Sequence, residues 1–176
     1  MTRSLKTEAV VLKRRSLANK DETITLFTQE SGKLIVFAKG VRKISSKRLP
    51  HLQTSNLIKA FLYQKDDKFY LQETSLISAF SAIKNSAAKM KTAYLLLYII
   101  DRITPEQQKE SNVYSLLKKF LIDLSKSTEK FTNTRLDDYL HRLLKMLGYV
   151  DTRNTLTANL QLIEELTGQK LPPFMI

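Results

Sequence analysis

Apolar and polar positions alternate in short blocks through the first eighty residues and recur at helical spacing through the rest. Thr7 to Arg15 alternates partly, Ala9 and Val11 against Val10 and Leu12, and ends in Lys13, Arg14 and Arg15. Leu17 to Asp21 reads as a turn. Glu22 to Gln29 then sets Ile24 and Leu26 on one face and Thr23, Thr25 and Phe27 on the other. Glu30-Ser31-Gly32 closes a hairpin into Leu34, Ile35, Val36 and Phe37, an apolar run of strand length rich in β-branched and aromatic residues. After a basic stretch and Pro50, Ser55 to Gln64 predicts a fourth strand, with Leu57, Phe61 and Tyr63 opposite Ile58, Ala60 and Leu62. Lys65-Asp66-Asp67 turns it into Lys68 to Glu73, where Phe69 and Leu71 oppose Tyr70 and Gln72. Five short strands, with the longest link between the third and fourth, suit a small closed barrel. The OB-fold is the five-stranded solution. An SH3-like barrel competes with it, and periodicity alone does not separate the two.

Near Ser81 alternation gives way to helical spacing. Ser86 to Ile103 is apolar on nearly every side, which marks a buried helix ended by Thr104-Pro105. Val113, Leu116, Leu117, Phe120, Leu121 and Leu124 follow the spacing of an amphipathic helix. Leu136, Leu140, Leu143, Leu144 and Leu147 form a third, with Asn133 or Thr134 placed to cap its start and Gly148 just past its end. A fourth runs from about Leu156 to Leu166 and stops at Gly168. The expectation is an α+β chain: an N-terminal five-stranded OB-fold barrel over residues 1–80, followed by a C-terminal α-helical bundle over 81–176.

Charge adds a partner to this picture. The 176 residues carry a net charge of +12 and a pI near 9.8, a balance that favours nucleic acid or another anionic surface. Residues 1–80 hold 15 Lys and Arg against 7 Asp and Glu, net +8, and residues 81–176 hold 14 against 10, net +4. The barrel is therefore the expected polyanion binder. There is no cysteine, which excludes disulfides, thiol nucleophiles and cysteine-ligated zinc and fits a reducing compartment. The N-terminus has no apolar core long enough for a secretion signal, and the longest apolar run, Ala93 to Ile100, is far shorter than the ~20 residues of a spanning helix. A cytoplasmic protein is expected.

Catalytic patterns are absent from the sequence. Four glycines supply no phosphate-cradling loop, and His51 and His141 stand far apart with neither a Ser–His–acid grouping nor a metal-binding spacing. The adjacent acids Asp137-Asp138 and Glu164-Glu165 project about 100° apart on a helix, so neither pair converges on one metal. No enzyme and no cofactor is expected.

The binding signal is stronger. Lys13, Arg14 and Arg15 end the first strand, Lys39 precedes Gly40, and Arg42, Lys43, Lys47 and Arg48 follow within one mobile loop that contains no acid. A strand that ends in such a loop suits gripping a polyanion, although a solvated surface loop has the same composition. Aromatic rings on an open barrel face stack single-stranded bases while Lys and Arg hold phosphates. Phe27 and Phe37 read as core fillers. Tyr63 and Tyr70 each have a hydroxyl to keep wet and are the stacking candidates.

Three stretches, KTEAVVLKRR, DETITLFTQESGKLIVFAKGVRK and LIKAFLYQKDDKFYLQE, resemble in order and spacing the N-terminal domain of the RecO family of bacterial recombination mediators and strand-annealing proteins. The T-E-x-x-V-L opening, the L-F-T-x-x-x-G-K turn and the K-G-x-R entry to the loop are the specific parts, and LHRLLKMLGY resembles a stretch of that family's helical domain. The resemblance implies binding of single- and double-stranded DNA, annealing, and loading of RecA onto strands coated by single-stranded DNA-binding protein (SSB), with RecR as companion and no covalent chemistry. Many relatives place a cysteine-rich zinc module after the Gly-Tyr pair. Here Gly148-Tyr149 leads into VDTRNTLTANLQ, so the resemblance is to a short form lacking that module. An acidic SSB tail with an apolar end needs an apolar pocket rimmed by cations, for which Arg102, Lys118, Lys119, Arg135, Arg142 and Lys145 are candidates. A protein-interaction adaptor and an RNA-binding OB-fold chaperone are the alternative functions.

Overall fold

The computed structural model describes residues 3–127 and 133–173. Five strands, β1 (Arg3–Ser16), β2 (Glu22–Thr28), β3 (Gly32–Ala38), β4 (Leu57–Lys65) and β5 (Lys68–Ser78), close into a barrel in the order β1-β2-β3-β5-β4. All pairings are antiparallel except β3 with β5, and β1 closes the barrel on β4. That order is the OB-fold, and it resolves the choice that periodicity left open. The inner faces follow the alternation read from the sequence. Ala9, Val11, Ile24, Leu26, Leu34, Val36, Ile58, Ala60, Leu62 and Leu71 fill the barrel, joined by Val41 and Leu52 from the β3–β4 loop.

Among the described residues five α-helices follow: α1 (Ser81–Lys84), α2 (Ala87–Ile103), α3 (Ser111–Lys126), α4 (Asn133–Met146) and α5 (Leu156–Thr167). The Ser86 hydroxyl caps α2 by accepting from the Lys89 N–H, Thr155 does the same for α5 through Ala158, and α5 ends on left-handed Gly168. The cap expected from the Asn133 side chain lies outside the described residues, and Thr134 sits inside α4. The four-residue α1 is an addition that periodicity could not reveal, being barely one turn long. No helix among the described residues is long and apolar enough to cross a membrane.

The chain divides into two compact units, residues 1–80 with 105–114, and 81–104 with 115–176. In the first, the segment Pro105–Tyr114 runs as a strap against the barrel. The parallel β3–β5 pairing involves only Val36–Phe69 and Phe37–Tyr70, and past it Lys33 bridges Glu106 instead. The Gln107 N–H donates to the Lys33 carbonyl at 2.9 Å, and Lys109 pairs with Glu30 at 3.7 Å. A strand edge that would otherwise present bare backbone groups is thereby covered.

The Tyr114 hydroxyl at the end of the strap donates to Glu8 Oε1 of β1 at 2.6 Å. Burial, and then the Glu8 carboxylate, push the Tyr114 phenol far above its ordinary range. The folded chain holds that proton more tightly than the unfolded one does. The stabilisation is whole below the unfolded tyrosine pKa of about 10 and is lost as pH rises beyond it. We expect denaturant midpoints to fall above roughly pH 10, and to fall less steeply in Tyr114→Phe, which also starts about 1–2 kcal/mol less stable. Urea titrations across that range check both.

Candidate nucleic-acid interface

Strand register assembles the surface of interest. Arg15 of β1 lies opposite Thr23 of β2, Thr23 opposite Phe37 of β3, Phe37 opposite Tyr70 of β5, and Tyr70 opposite Tyr63 of β4. Directly opposed residues face the same side of a sheet. The neighbouring set Ile24, Val36, Leu62 and Leu71 is in the core, so Arg15, Thr23, Phe37, Tyr70 and Tyr63 form one row on the outside of the barrel. Phe37, expected in the core, is a partly exposed member of this row, because its position in β3 has the parity opposite to Val36. Phe27 is fully buried and takes no part.

The rings touch. Tyr63 and Tyr70 stack with centroids 5.0 Å apart and planes 14° apart, and Phe37 meets Tyr70 at 5.7 Å, tilted by 34°. Lys39, two residues past Phe37, places its Nζ 4.9 Å above the Tyr70 ring, a cation–π contact. Lys13 and Arg15 alternate onto the row's side of β1. Arg14, opposite the core residue Ile24, projects from the other side of the β1–β2 ribbon, and all three are exposed.

Composition suggests a mobile basic loop between β3 and β4, and the structure fastens it instead. Asp21 Oδ1 accepts the Gly40 N–H at 2.6 Å. The Arg42 N–H donates to the Lys20 carbonyl at 3.1 Å, and its guanidinium donates to the Leu17 carbonyl. The loop entry is thus bonded to the β1–β2 turn that follows Arg15, so two cation clusters far apart in sequence meet at one end of the barrel. Arg48 forks across the exit, donating to the Leu71 carbonyl at 3.0 Å and the Lys39 carbonyl at 2.7 Å. His51 Nδ1 lies 3.0 Å from the Thr74 hydroxyl, and the Asn56 amide donates to the Pro50 and His51 carbonyls. Charge pattern alone assigns Arg42 and Arg48 to phosphates. One side-chain donor of Arg42 and two of Arg48 serve backbone carbonyls, part of what the five-donor guanidinium fork offers. Lys39, Lys43 and Lys47 stay exposed.

In the helical unit, Lys119, Arg135 and Arg142 converge on a cavity of about 480 Å³ with Asp123, Asp138, Tyr139, Ser127 and Lys126. Sequence pattern does not single out Lys126, although it stands two helical turns after Lys119. Arg102, Lys118 and Lys145 are not part of this lining. Arg102 packs over the Tyr98 ring at 5.3 Å. Burial alone would raise the Asp123 pKa, but hydrogen bonds from Lys119 at 2.8 Å and Tyr139 at 2.6 Å, with Arg135 nearby, hold it below the usual carboxylate range. The same burial and Asp123 bond push the Tyr139 phenol up. Asp137 and Asp138 diverge: one accepts from Asn159 and the other pairs with Arg153. Among the described residues no group of three or more His, Asp or Glu is placed to hold a metal ion.

An OB barrel with partly exposed, touching aromatic rings and flanking cations has the kind of surface that oligonucleotide-binding barrels present. Residues 1–80 match the family described as recombination protein O N terminal. The chain is 30% identical over 148 residues to the DNA repair protein RecO of Caldanaerobacter subterraneus subsp. tengcongensis, covering 84% of this chain and 60% of that protein. It is 30% identical over 151 residues to the DNA repair protein RecO of a Thermoanaerobacter species, covering 84% and 59%, and 30% identical over 148 residues to that of Syntrophus aciditrophicus, covering 82% and 56%. The chain is thus similar to RecO proteins over most of its length, and matches the RecO N-terminal family through its first eighty residues. It spans 56–60% of the length of these relatives.

Proposed function

We propose that this chain acts in DNA repair and recombination in the cytoplasm by binding DNA strands and annealing them, with no covalent chemistry. The observation that carries the reading is the row in which Arg15, Phe37, Tyr70 and Tyr63 share one face, with Lys39 over the middle ring.

Lys39, Lys43, Lys47, Lys13 and Arg15 would neutralise phosphates, while bases continue the aromatic stack, each such contact contributing about 1–3 kcal/mol. Holding two strands on one cationic surface lowers their mutual repulsion, and base pairing supplies the drive. In the finer reading, the chain works with RecR to load RecA onto SSB-coated strands, and the acidic SSB tail meets the Lys119–Arg135–Arg142 cavity. The similarity to proteins named DNA repair protein RecO supports this assignment.

A fluorescence annealing assay on bare and SSB-coated complementary strands tests it. We expect faster annealing on both, and a single-strand association constant that falls with salt at a log–log slope of roughly −3 to −4 if about five phosphates are contacted. A chain that ignores oligonucleotides in dilute buffer overturns the proposal. Matched RNA that outcompetes DNA would instead favour an RNA chaperone.

A further inference from the structure

Ile44 sits in the basic loop with a relative exposure of 103%, whereas the other exposed large apolar side chains among the described residues lie between 37% and 46%. It is held at a defined place. The Lys43 N–H donates to the Gly40 carbonyl and the Ser46 N–H to the Lys43 carbonyl, so Ile44 rides on two successive tight turns. Below them, Val41 is buried and Arg42 and Arg48 clamp the two ends of the loop. Turn tips ordinarily take Gly, Asn, Asp or Ser, which hydrogen-bond locally or tolerate unusual backbone angles. An isoleucine does neither, and here it is exposed among Lys43, Ser45 and Lys47.

An apolar side chain flanked by cations on a fastened loop has the composition of a wedge. Proteins that unstack nucleic acid insert an Ile, Leu, Met or Phe between base steps while nearby Lys and Arg hold the phosphates. We propose that Ile44 enters between two adjacent bases of a bound strand and opens their stack, with Lys43 and Lys47 seated on the neighbouring phosphates. This rests on the nucleic-acid reading above and adds an activity to it: the strand is held with bases unstacked, ready for an incoming complement.

The test uses the 176-residue chain and a single-stranded adenine-rich oligonucleotide carrying 2-aminopurine, whose fluorescence rises on unstacking. Wild type should raise the signal at saturation. Ile44→Ser should bind several-fold more weakly than wild type with the same salt slope, because the phosphate contacts persist, and at saturation should lose most of the rise and anneal more slowly. Ile44→Leu should keep the rise. The Ile44 side chain is fully exposed, so all three proteins should melt alike. The wedge is overturned if Ile44→Ser raises the fluorescence as wild type does, or if saturated wild type leaves it unchanged while binding normally. Absence of any binding by wild type would overturn the nucleic-acid reading itself, and the wedge with it.

Discussion

Reversing Arg15, Lys43 and Lys47 together to Glu should remove about two units from the salt slope of single-strand binding, at roughly 0.7 for each phosphate released. Near physiological salt we expect the association constant to drop by about two orders of magnitude or more, since each change also places a carboxylate beside the nucleic-acid backbone. These three are chosen because all are exposed and none is hydrogen-bonded or ion-paired through its side chain to a described residue. Reversing Arg42 or Arg48 would be harder to interpret, for both hold the loop to the barrel through backbone carbonyls. Fluorescence anisotropy across a salt series, with thermal melts to confirm folding, reads the result. A folded triple variant with wild-type affinity and slope would remove this surface from consideration.

Gly32→Ala should be strongly destabilising to the barrel unit. Gly32 has φ +64°, and a Cβ there would lie 1.8 Å from the Gln108 carbonyl oxygen and 2.8 Å from its carbon. Both atoms are backbone of the strap, so nothing can swing aside; the strap must lift, straining the Lys33–Gln107 hydrogen bond next to it. Left-handed strain of about 1–2 kcal/mol and an overpacking cost of about 1–3 kcal/mol together predict a destabilisation of roughly 2–5 kcal/mol. For a chain of this size that is a fall of about 5–15 °C in Tm. Gly148→Ala is the control. Its φ is +78° with no atom within 4 Å of the added Cβ, so only the backbone strain applies. Equal destabilisation of the two variants would mean that the strap does not press on Gly32.

Much of the fold was legible because it is locally encoded. Ile24, Leu26, Ile58, Ala60 and Leu62 could be sorted from their neighbours by a two-residue period, and all five line the core. The helix start at Ser86 and the stop at Gly168 were legible too, because a cap joins residues three or four apart, whereas the Thr155 cap came only from the structure. The strap was not legible. Pro105 to Asn112 is polar and carries no periodicity, and what joins it to β3 is backbone hydrogen bonding, which leaves little trace in side-chain pattern. The roles of Arg42 and Arg48 were hidden for a related reason. A sequence shows donors, but the acceptors here are the carbonyls of Leu17, Lys39 and Leu71, and no residue type announces which carbonyl a guanidinium will reach.

The amino-acid sequence by itself determined the five strands, the four longer helices, the excess of cations in the first eighty residues and the resemblance to RecO proteins, all of them properties of short stretches or of composition. Only the tertiary structure decided which cations share a surface with which rings. Phe37, Tyr63 and Tyr70 belong to three strands, and Arg15 to a fourth. What aligns them is cross-strand register, and register is set by closure of the whole barrel rather than by any strand alone.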